Sequence, residues 1–368
     1  MAVNSSRPNG HAEPQGVRRV TSIARWLARR QQTTTQVAPR LSVVMPVYNA
    51  ESTLAECLTR LFQSTLEGFE VVLVDDGSTD STGAIAAEFP VRVVPSGGRV
   101  GPAAARNVGA REAQGDFLFF IDSDVMVRPD TLSRLMARFE QGDVDGVVGV
   151  QAVELRYRNL PSRYKNLWMR WTYLRKQSAD QDVPCFYTTA AAIRRDVFLR
   201  VGGFDQLYGG PSVEDQAFAQ KLMRLGVRIR VQPELEVEHV KRYSLGTLLK
   251  TDYHRAVSLT RLQLRHREDL SQNNTPVPTP YIVSVLLSGI GLAALVLGAL
   301  TGIGAVIAGG AFASLGALAL NHEFLDVIRR SEGLGRAVSC LPLMWVELLT
   351  VGVGTAVGLI SYPLGKRY

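Results

Sequence analysis

Between Tyr281 and Leu320 the chain carries no charged side chain, and no other segment limits the possible folds so strongly. About 20 apolar residues cross the hydrocarbon core of a bilayer as a helix, so this run is long enough for two crossings. Its glycines and alanines suit close helix packing in lipid. A third apolar stretch, Val338 to Tyr362, holds Glu347 as its sole Asp, Glu, Lys or Arg. The alternative is an apolar hairpin buried in a soluble domain. The reading is a transmembrane region over residues 280–368 with about three helices. Arg329, Arg330 and Arg336 hold the loop before the third on the cytoplasmic side, where Lys and Arg collect. Lys366 and Arg367 then fall on the far side, which the same rule disfavours.

The segment before the first span, "VKRYSLGTLLKTDYHRAVSLTRLQLRHRED", is basic. Leu245, Leu248, Leu249, Tyr253 and Ala256 share one helical face, so residues 243–279 read as an interfacial amphipathic helix and linker. The formal net charge of the 368 residues is +7. The basic residues crowd beside the apolar runs and no nucleic-acid motif is present, so a membrane partner is expected and nucleic acid is not. Residues 1–39 are polar and lack the makings of a core. Within them "VRRVTSIARWLARR" sets Val20, Ile23, Ala24 and Leu27 on one face among arginines, a membrane-surface helix or a solvated tail. No apolar run follows these arginines, so no cleavable leader is expected. The 3 cysteines, Cys57, Cys185 and Cys340, have no metal-type spacing, and a reducing compartment is the default.

Residues 40–242 have another character. "LSVVMPVY", "FEVVLVDDG", "VRVVP" and "DFLFFID" read as strands. Helical runs lie between them: Glu51 to Leu66, Thr79 to Phe89 with Asp80 as a candidate N-cap, and "GPAAARNVGAREAQ" with Pro102 near its first position. Further helices are expected near 160–178 and 213–225, and strands near 227–231 and 235–240. The alternation predicts an α/β domain with a mostly parallel sheet flanked by helices.

Ligands of such sheets bind beyond the carboxyl ends of the strands. Those ends carry Tyr48 and Asn49, Asp75 and Asp76, and Asp122 and Asp124. Two residues apart on an extended strand, Asp122 and Asp124 face the same way. At about 4 Å and an effective dielectric near 20 their charges repel by roughly 4 kcal/mol, so something positive is expected between them. A divalent cation with oxygen ligands, Mg²⁺ or Mn²⁺, fits and brings a diphosphate with it. Capping or turn aspartates are the plainer reading of "DSD" alone.

"SVVMPVYNAESTLAECLTRLFQST", "VVLVDDGSTDST", "GPAAARNVGA", "FLFFIDSDV" and "VGGFDQLYGGPSVEDQAFAQKLMRLG" occur in this order. Together they resemble the family-2-type inverting glycosyltransferases with the GT-A nucleotide-sugar-binding fold, over about residues 41 to 240. The resemblance implies that Pro46, Tyr48, Asn49, Glu51 and Asp75 or Asp76 border the nucleotide. Asp122, Ser123 and Asp124 match the DxD motif, with Asp122 and Asp124 on the metal and Asp122 also on the ribose. Arg106 lies near the diphosphate or in a structural ion pair. Glu214 and Asp215 match the acidic pair that supplies the general base, with Asp215 preferred; acids favoured by a helix start are the local alternative. His239, in "VEHVKR", is a candidate third metal ligand.

The implied reaction is metal-dependent transfer of a single sugar from a nucleotide-diphosphate sugar to a hydroxyl of a lipid-linked or membrane-borne glycan acceptor, in cell-envelope glycan synthesis. The protein would be integral to the membrane with its catalytic domain cytoplasmic. No Q-x-x-R-W motif follows the acidic pair, which favours single transfer over polymerisation. Transfer to polyprenyl phosphate and a non-catalytic membrane scaffold are the alternatives. A dinucleotide-binding dehydrogenase is excluded, because no G-x-G-x-x-G follows the first strand.

Overall fold

The computed structural model describes residues 39–175, 185–208, 213–266 and 277–365. The basic segment near residues 17–30, residues 209–212 and residues 366–368 lie outside these. The chain begins as β1 (Leu41–Val47), α1 (Leu54–Phe62), β2 (Phe69–Asp75), α2 (Thr82–Ala86), β3 (Arg92–Pro95), α3 (Pro102–Glu112) and β4 (Phe117–Phe120). Then follow β5 (Val125–Val127), α4 (Thr131–Glu140), β6 (Gly146–Gln151), α5 (Leu160–Leu174), β7 (Ala191–Arg194), α6 (Arg195–Val201), α7 (Glu214–Arg224) and β8 (Ile229–His239).

All strands join one 8-stranded sheet in the order β3-β2-β1-β4-β7-β6-β8-β5. The first half, β3 to β4, is parallel as expected. The second half is mixed, since β7 runs antiparallel to both β4 and β6 and β5 antiparallel to β8. Strands β6 and β8 run with β1–β4, so six of the eight strands point the same way and the sheet is mostly parallel as expected, with β7 and β5 reversed. The two strands expected near 227–231 and 235–240 are one strand, β8. Its register against β6 shifts between Val148 and Val150, where Pro233 has no N–H to offer a ladder.

The apolar run of β4 is buried on both faces. Phe117 and Phe119 belong to one core, Leu118 and Phe120 to the other, as the period of two requires. Helix α3 starts at Pro102, whose fixed φ suits the first turn. It lies close on the sheet because Gly109 faces Val44 and Val74, where a Cβ would come within 2.5 Å of Val44 Cγ1. That approach carries Arg106, one turn earlier, to the carboxyl ends of β1 and β4. Asp80 does serve the start of α2, accepting from the backbone N–H of Thr82 at 3.0 Å, although Ser81 occupies the cap position.

The remaining helices are α8 (Leu245–Arg265), α9 (Thr279–Thr301), α10 (Gly304–Ala319), α11 (His322–Glu332) and α12 (Leu334–Ser361). Two of them, α9 with 23 residues and α12 with 28, are long and apolar enough to cross a membrane. The second crossing expected before Leu320 is α10, which has 16 residues, about 24 Å at 1.5 Å per residue against a core of about 30 Å. It joins α11 at a bend of 59°, and the bent pair makes a third span only if taken as one.

Helix α8 is not a free surface helix. Its buried residues are Leu248, Asp252, Ala256, Val257 and Leu262, while Leu245, expected on the apolar face, is 50% exposed. It packs along α12, where Gly354 and Gly358 leave room for Tyr253, Ala256 and Thr260. The buried Asp252 pairs with Lys165 of α5. Helix α5 ties the sheet domain to this region: Tyr164 donates its hydroxyl to Glu347 of α12 at 2.6 Å, and Trp168 packs on Phe324 and Tyr281.

Candidate active site

A cleft of about 920 Å³ opens at the carboxyl ends of β1 and β4. Of the residues singled out in the sequence, it is lined by Pro46, Tyr48, Asn49, Asp76, Arg106, Asp122, Ser123, Asp124, Glu214, Asp215 and His239. Glu51 and Asp75 are not among its lining residues.

The first wall is the turn after β1. Asn49 takes a left-handed conformation at φ 49°, which Asn tolerates better than most residues. Its Oδ1 accepts from the N–H of Thr79 at 2.8 Å, and its own N–H donates to Ser78 Oγ at 3.1 Å. Glu51 accepts from the N–H of Ser81 at 3.1 Å, so it fastens the start of α2 instead of facing the cleft. Asp75 closes its own turn, accepting from the N–H of Ser78 at 2.9 Å. Asp76 is buried. Its carboxylate accepts from Ser96 Oγ at 2.8 Å and from the N–H groups of Val100 at 2.8 Å and Gly101 at 2.9 Å. It thereby shapes the loop that holds Arg99 over the Tyr48 ring, 4.2 Å from the centroid.

The two motif aspartates do not lie on a strand. Strand β4 ends at Phe120, and the N–H of Val125 donates to the carbonyl of Asp122 at 3.1 Å, closing a turn over Asp122–Val125. The expectation of two carboxylates side by side on an extended strand is corrected accordingly. Each has its own partner. Asp122 accepts from Arg106 Nη2 at 2.8 Å. Asp124 lies 3.2 Å from Nε2 of His239, which β8 delivers by pairing with Val125. A positive charge is thus supplied to Asp122 by Arg106, while Asp124 is held by a hydrogen bond with His239.

Burial works against a charged Asp124, but the hydrogen bond and charge of His239 prevail and hold its carboxyl below the usual range. His239 is pushed up for the matching reason, Asp124 outweighing burial. Among the described residues no three His, Cys, Asp or Glu side chains converge as a metal site. The donor set is Asp124 with His239, and Asp122 is turned to Arg106. Mg²⁺ is commonly bound through one or two carboxylates plus substrate phosphates, not by an all-protein cage. This set therefore fits a cation arriving with a diphosphate and does not fit a resident ion.

Arg106 is 3% exposed and binds a second carboxylate, Glu214, through Nη1 at 3.0 Å. It is a structural ion pair that joins the turn after β4 to the first turn of α7. This separates the roles of the acidic pair. Glu214 is committed to Arg106. Asp215 makes no ion pair within 4 Å among the described residues and accepts from the N–H of Gln216 at 2.7 Å. Burial, and then the charge of Glu214, push the Asp215 carboxyl up to about 6, with Arg255 pulling the other way. A carboxylate with this pKa in a cleft is suited to take a proton near neutral pH.

Arg106 is the one cleft Lys or Arg singled out from the sequence; Arg99, Lys165, Lys241, Lys250 and Arg255 also line it. Arg99 covers Tyr48. Lys165 on α5 and Arg255 on α8 close the side facing the apolar helices. In the sequence Arg255 is only one of the basic residues around the apolar face of its helix. The available signal was Asp252, a lone acid in a basic helix and one turn from Arg255.

The profile of Glycosyl transferase family 2 matches residues 42–202. The pre-mycofactocin glycosyltransferase of Mycobacterium tuberculosis is 30% identical over 281 residues, 71% of this chain and 56% of that protein. The undecaprenyl-phosphate 4-deoxy-4-formamido-L-arabinose transferase of Pseudomonas aeruginosa is 38% identical over 137 residues, 34% of this chain and 40% of that protein. The chain thus spans 56% and 40% of the lengths of these curated relatives. A mannosyltransferase from Pyrobaculum calidifontis, solved in complex with GDP-Man and Mn²⁺, superposes with a TM-score of 0.55 at 20% identity, covering 95% of this chain and 97% of that one. The match shows a shared GT-A fold.

Proposed function

From a chain that carries a family 2 glycosyltransferase domain on a GT-A fold, we propose an inverting transferase. It moves a single sugar from a nucleotide-diphosphate sugar to a hydroxyl of a lipid-linked or membrane-borne glycan acceptor. The observation that carries this reading is Asp215, a cleft carboxylate without an ion pair among the described residues and with its pKa raised to about 6. A hydroxyl keeps its proton at neutral pH and needs a base during attack. As the acceptor oxygen bonds to the anomeric carbon, the O–H proton passes to Asp215. The bond from that carbon to the diphosphate oxygen breaks, and the nucleoside diphosphate departs. One displacement inverts the anomeric centre.

The nucleotide would lie along Pro46, Tyr48, Asn49 and Asp76, with Asp122 and Ser123 near the ribose. Asp124 and His239 would hold Mn²⁺ or Mg²⁺. When bound, such an ion supplies Lewis-acid stabilisation of the leaving diphosphate. The relative from Pyrobaculum calidifontis was solved with GDP-Man and Mn²⁺, which supports a nucleotide-sugar donor and a divalent ion. The apolar helices support a membrane-borne acceptor and an integral membrane protein, and the basic residues beside them support a catalytic domain that faces the cytoplasm. The name of the Pseudomonas aeruginosa relative favours one rival, an acceptor that is itself a polyprenyl phosphate. A panel of nucleotide sugars, assayed with membranes for release of nucleoside diphosphate with and without Mn²⁺, tests the reading. Release from one donor, dependent on the ion and on an extractable lipid, is expected. No release from any donor would overturn it.

A further inference from the structure

A second cavity, of about 380 Å³, lies between the sheet domain and the apolar helices. Its outer wall is made by α9 and α12, through Ile282, Val285, Leu286, Val351 and Leu359. Its inner wall shares Lys165, Met169, Tyr187 and Arg255 with the cleft of the candidate active site. The two cavities therefore adjoin across these four side chains, with the membrane-region helices on one side of them and Asp215 on the other.

The polar groups lining this second cavity are unequally satisfied. Lys165 is neutralised by Asp252. Arg255 makes no ion pair among the described residues. Its guanidinium lies 5.8 Å from the centre of the Tyr187 ring, and Asp215 is among the charges that raise its pKa. Gln263, which also lines the cavity, has neither amide atom paired within the described residues. A half-buried guanidinium with free donors beside an apolar chamber suits an amphiphile with an anionic head, and Arg matches phosphate geometry bidentately. The volume is near the lower end of ligand sites, about 300–1,000 Å³, which favours one chain over two.

We infer that this cavity holds the lipid chain of the acceptor, an isoprenoid-type single-chain phosphate, with the phosphate at Arg255 and the group to be glycosylated turned to Asp215. The assignment rests on the glycosyltransferase reading and adds the acceptor's chemical class and place. Lipid tails are about as apolar as leucine side chains, so a chain gains little by leaving the bilayer for the cavity. The cavity therefore sets position and selects shape, while Arg255 supplies affinity.

The test uses the full chain in nanodiscs and farnesyl phosphate carrying a diazirine at the end of its chain. After illumination, labelled peptides are mapped, and binding of a nucleoside diphosphate is measured in the same samples. Labels are expected in α9 and α12 at cavity residues. Arg255→Gln should reduce labelling about tenfold or more, as loss of a charged hydrogen bond implies. Leu286→Trp, which narrows the chamber from its outer wall without entering the contact between α8 and α12, should displace the label. Unlabelled farnesyl phosphate should compete, and inorganic phosphate and dioleoyl phosphatidic acid should not. Labels confined to the outer apolar surfaces, or insensitive to Arg255→Gln, would overturn the inference, as would competition by phosphatidic acid equal to that by farnesyl phosphate. Absence of nucleoside diphosphate binding in the unaltered protein would instead sink the glycosyltransferase reading beneath it.

Discussion

Arg106→Gln removes the one group that holds Asp122 and Glu214 together. The side chain is 4% exposed and bonds Asp122 at 2.8 Å and Glu214 at 3.0 Å. Without it, Glu214 remains as a buried carboxylate with a side chain 7% exposed. Breaking a buried pair in this way costs about 3–5 kcal/mol. For a domain of this size 1 kcal/mol moves the melting temperature by about 2–4 °C, so a fall of roughly 6–20 °C is expected. The assay is thermal unfolding of the purified protein followed by tryptophan fluorescence. The diagnostic step is the double variant Arg106→Gln with Glu214→Gln. Removing the stranded charge should recover part of the loss, so the two substitutions are strongly non-additive. A fall under 2 °C for Arg106→Gln, or plain additivity in the double variant, would refute the clamp.

Asp215 has a raised pKa in the folded chain, so the native state binds its proton more tightly than the unfolded state does. Stability from this group is present at low pH and lost as pH rises through about 6. Asp215→Asn should therefore raise the melting temperature at pH 7.5 and lose that advantage near pH 4, as parallel melts at the two pH values will show. Turnover of the unaltered enzyme should fall on acidification with an apparent pKa near 6. Asp124→Asn should abolish Mn²⁺-dependent binding of a nucleoside diphosphate in calorimetry while the fold survives; unchanged binding would remove Asp124 from the metal site. The end of helix α12 bonds α8, through Ser361 and Arg261 at 2.9 Å, and α8 follows β8 of the sheet domain with no apolar run between them. A reporter fused after Tyr368 should therefore read on the same side as the catalytic domain, which also returns Lys366 and Arg367 to the side that basic residues prefer. A reading on the opposite side would restore three crossings.

Local patterns carried much of the fold. The apolar run of β4, Pro102 at the head of α3 and the alternation of strands and helices were legible because each is set by neighbours in sequence. The antiparallel course of β7 was not, because pairing direction depends on where a loop returns the chain. The site divides along the same line. Its acids stood out at strand and helix ends, but their partners did not. Arg106 reaches Glu214 across 108 residues and Asp124 reaches His239 across 115, and no spacing rule connects them. In α8 the apolar face was read from hydropathy alone, so Asp252 was left out although it is 4% exposed. Its partner Lys165 lies in a helix of the other domain.

The central claim is that Asp215 takes the acceptor's proton. Asp215→Asn keeps the side chain's shape and removes the base. With the donor found by the nucleotide-sugar panel and a saturating lipid acceptor, kcat should fall by about 10²–10⁴-fold, with donor affinity little changed. A fall of less than about tenfold would contradict the account, because it is too small for loss of a general base and matches an acceptor that is already anionic.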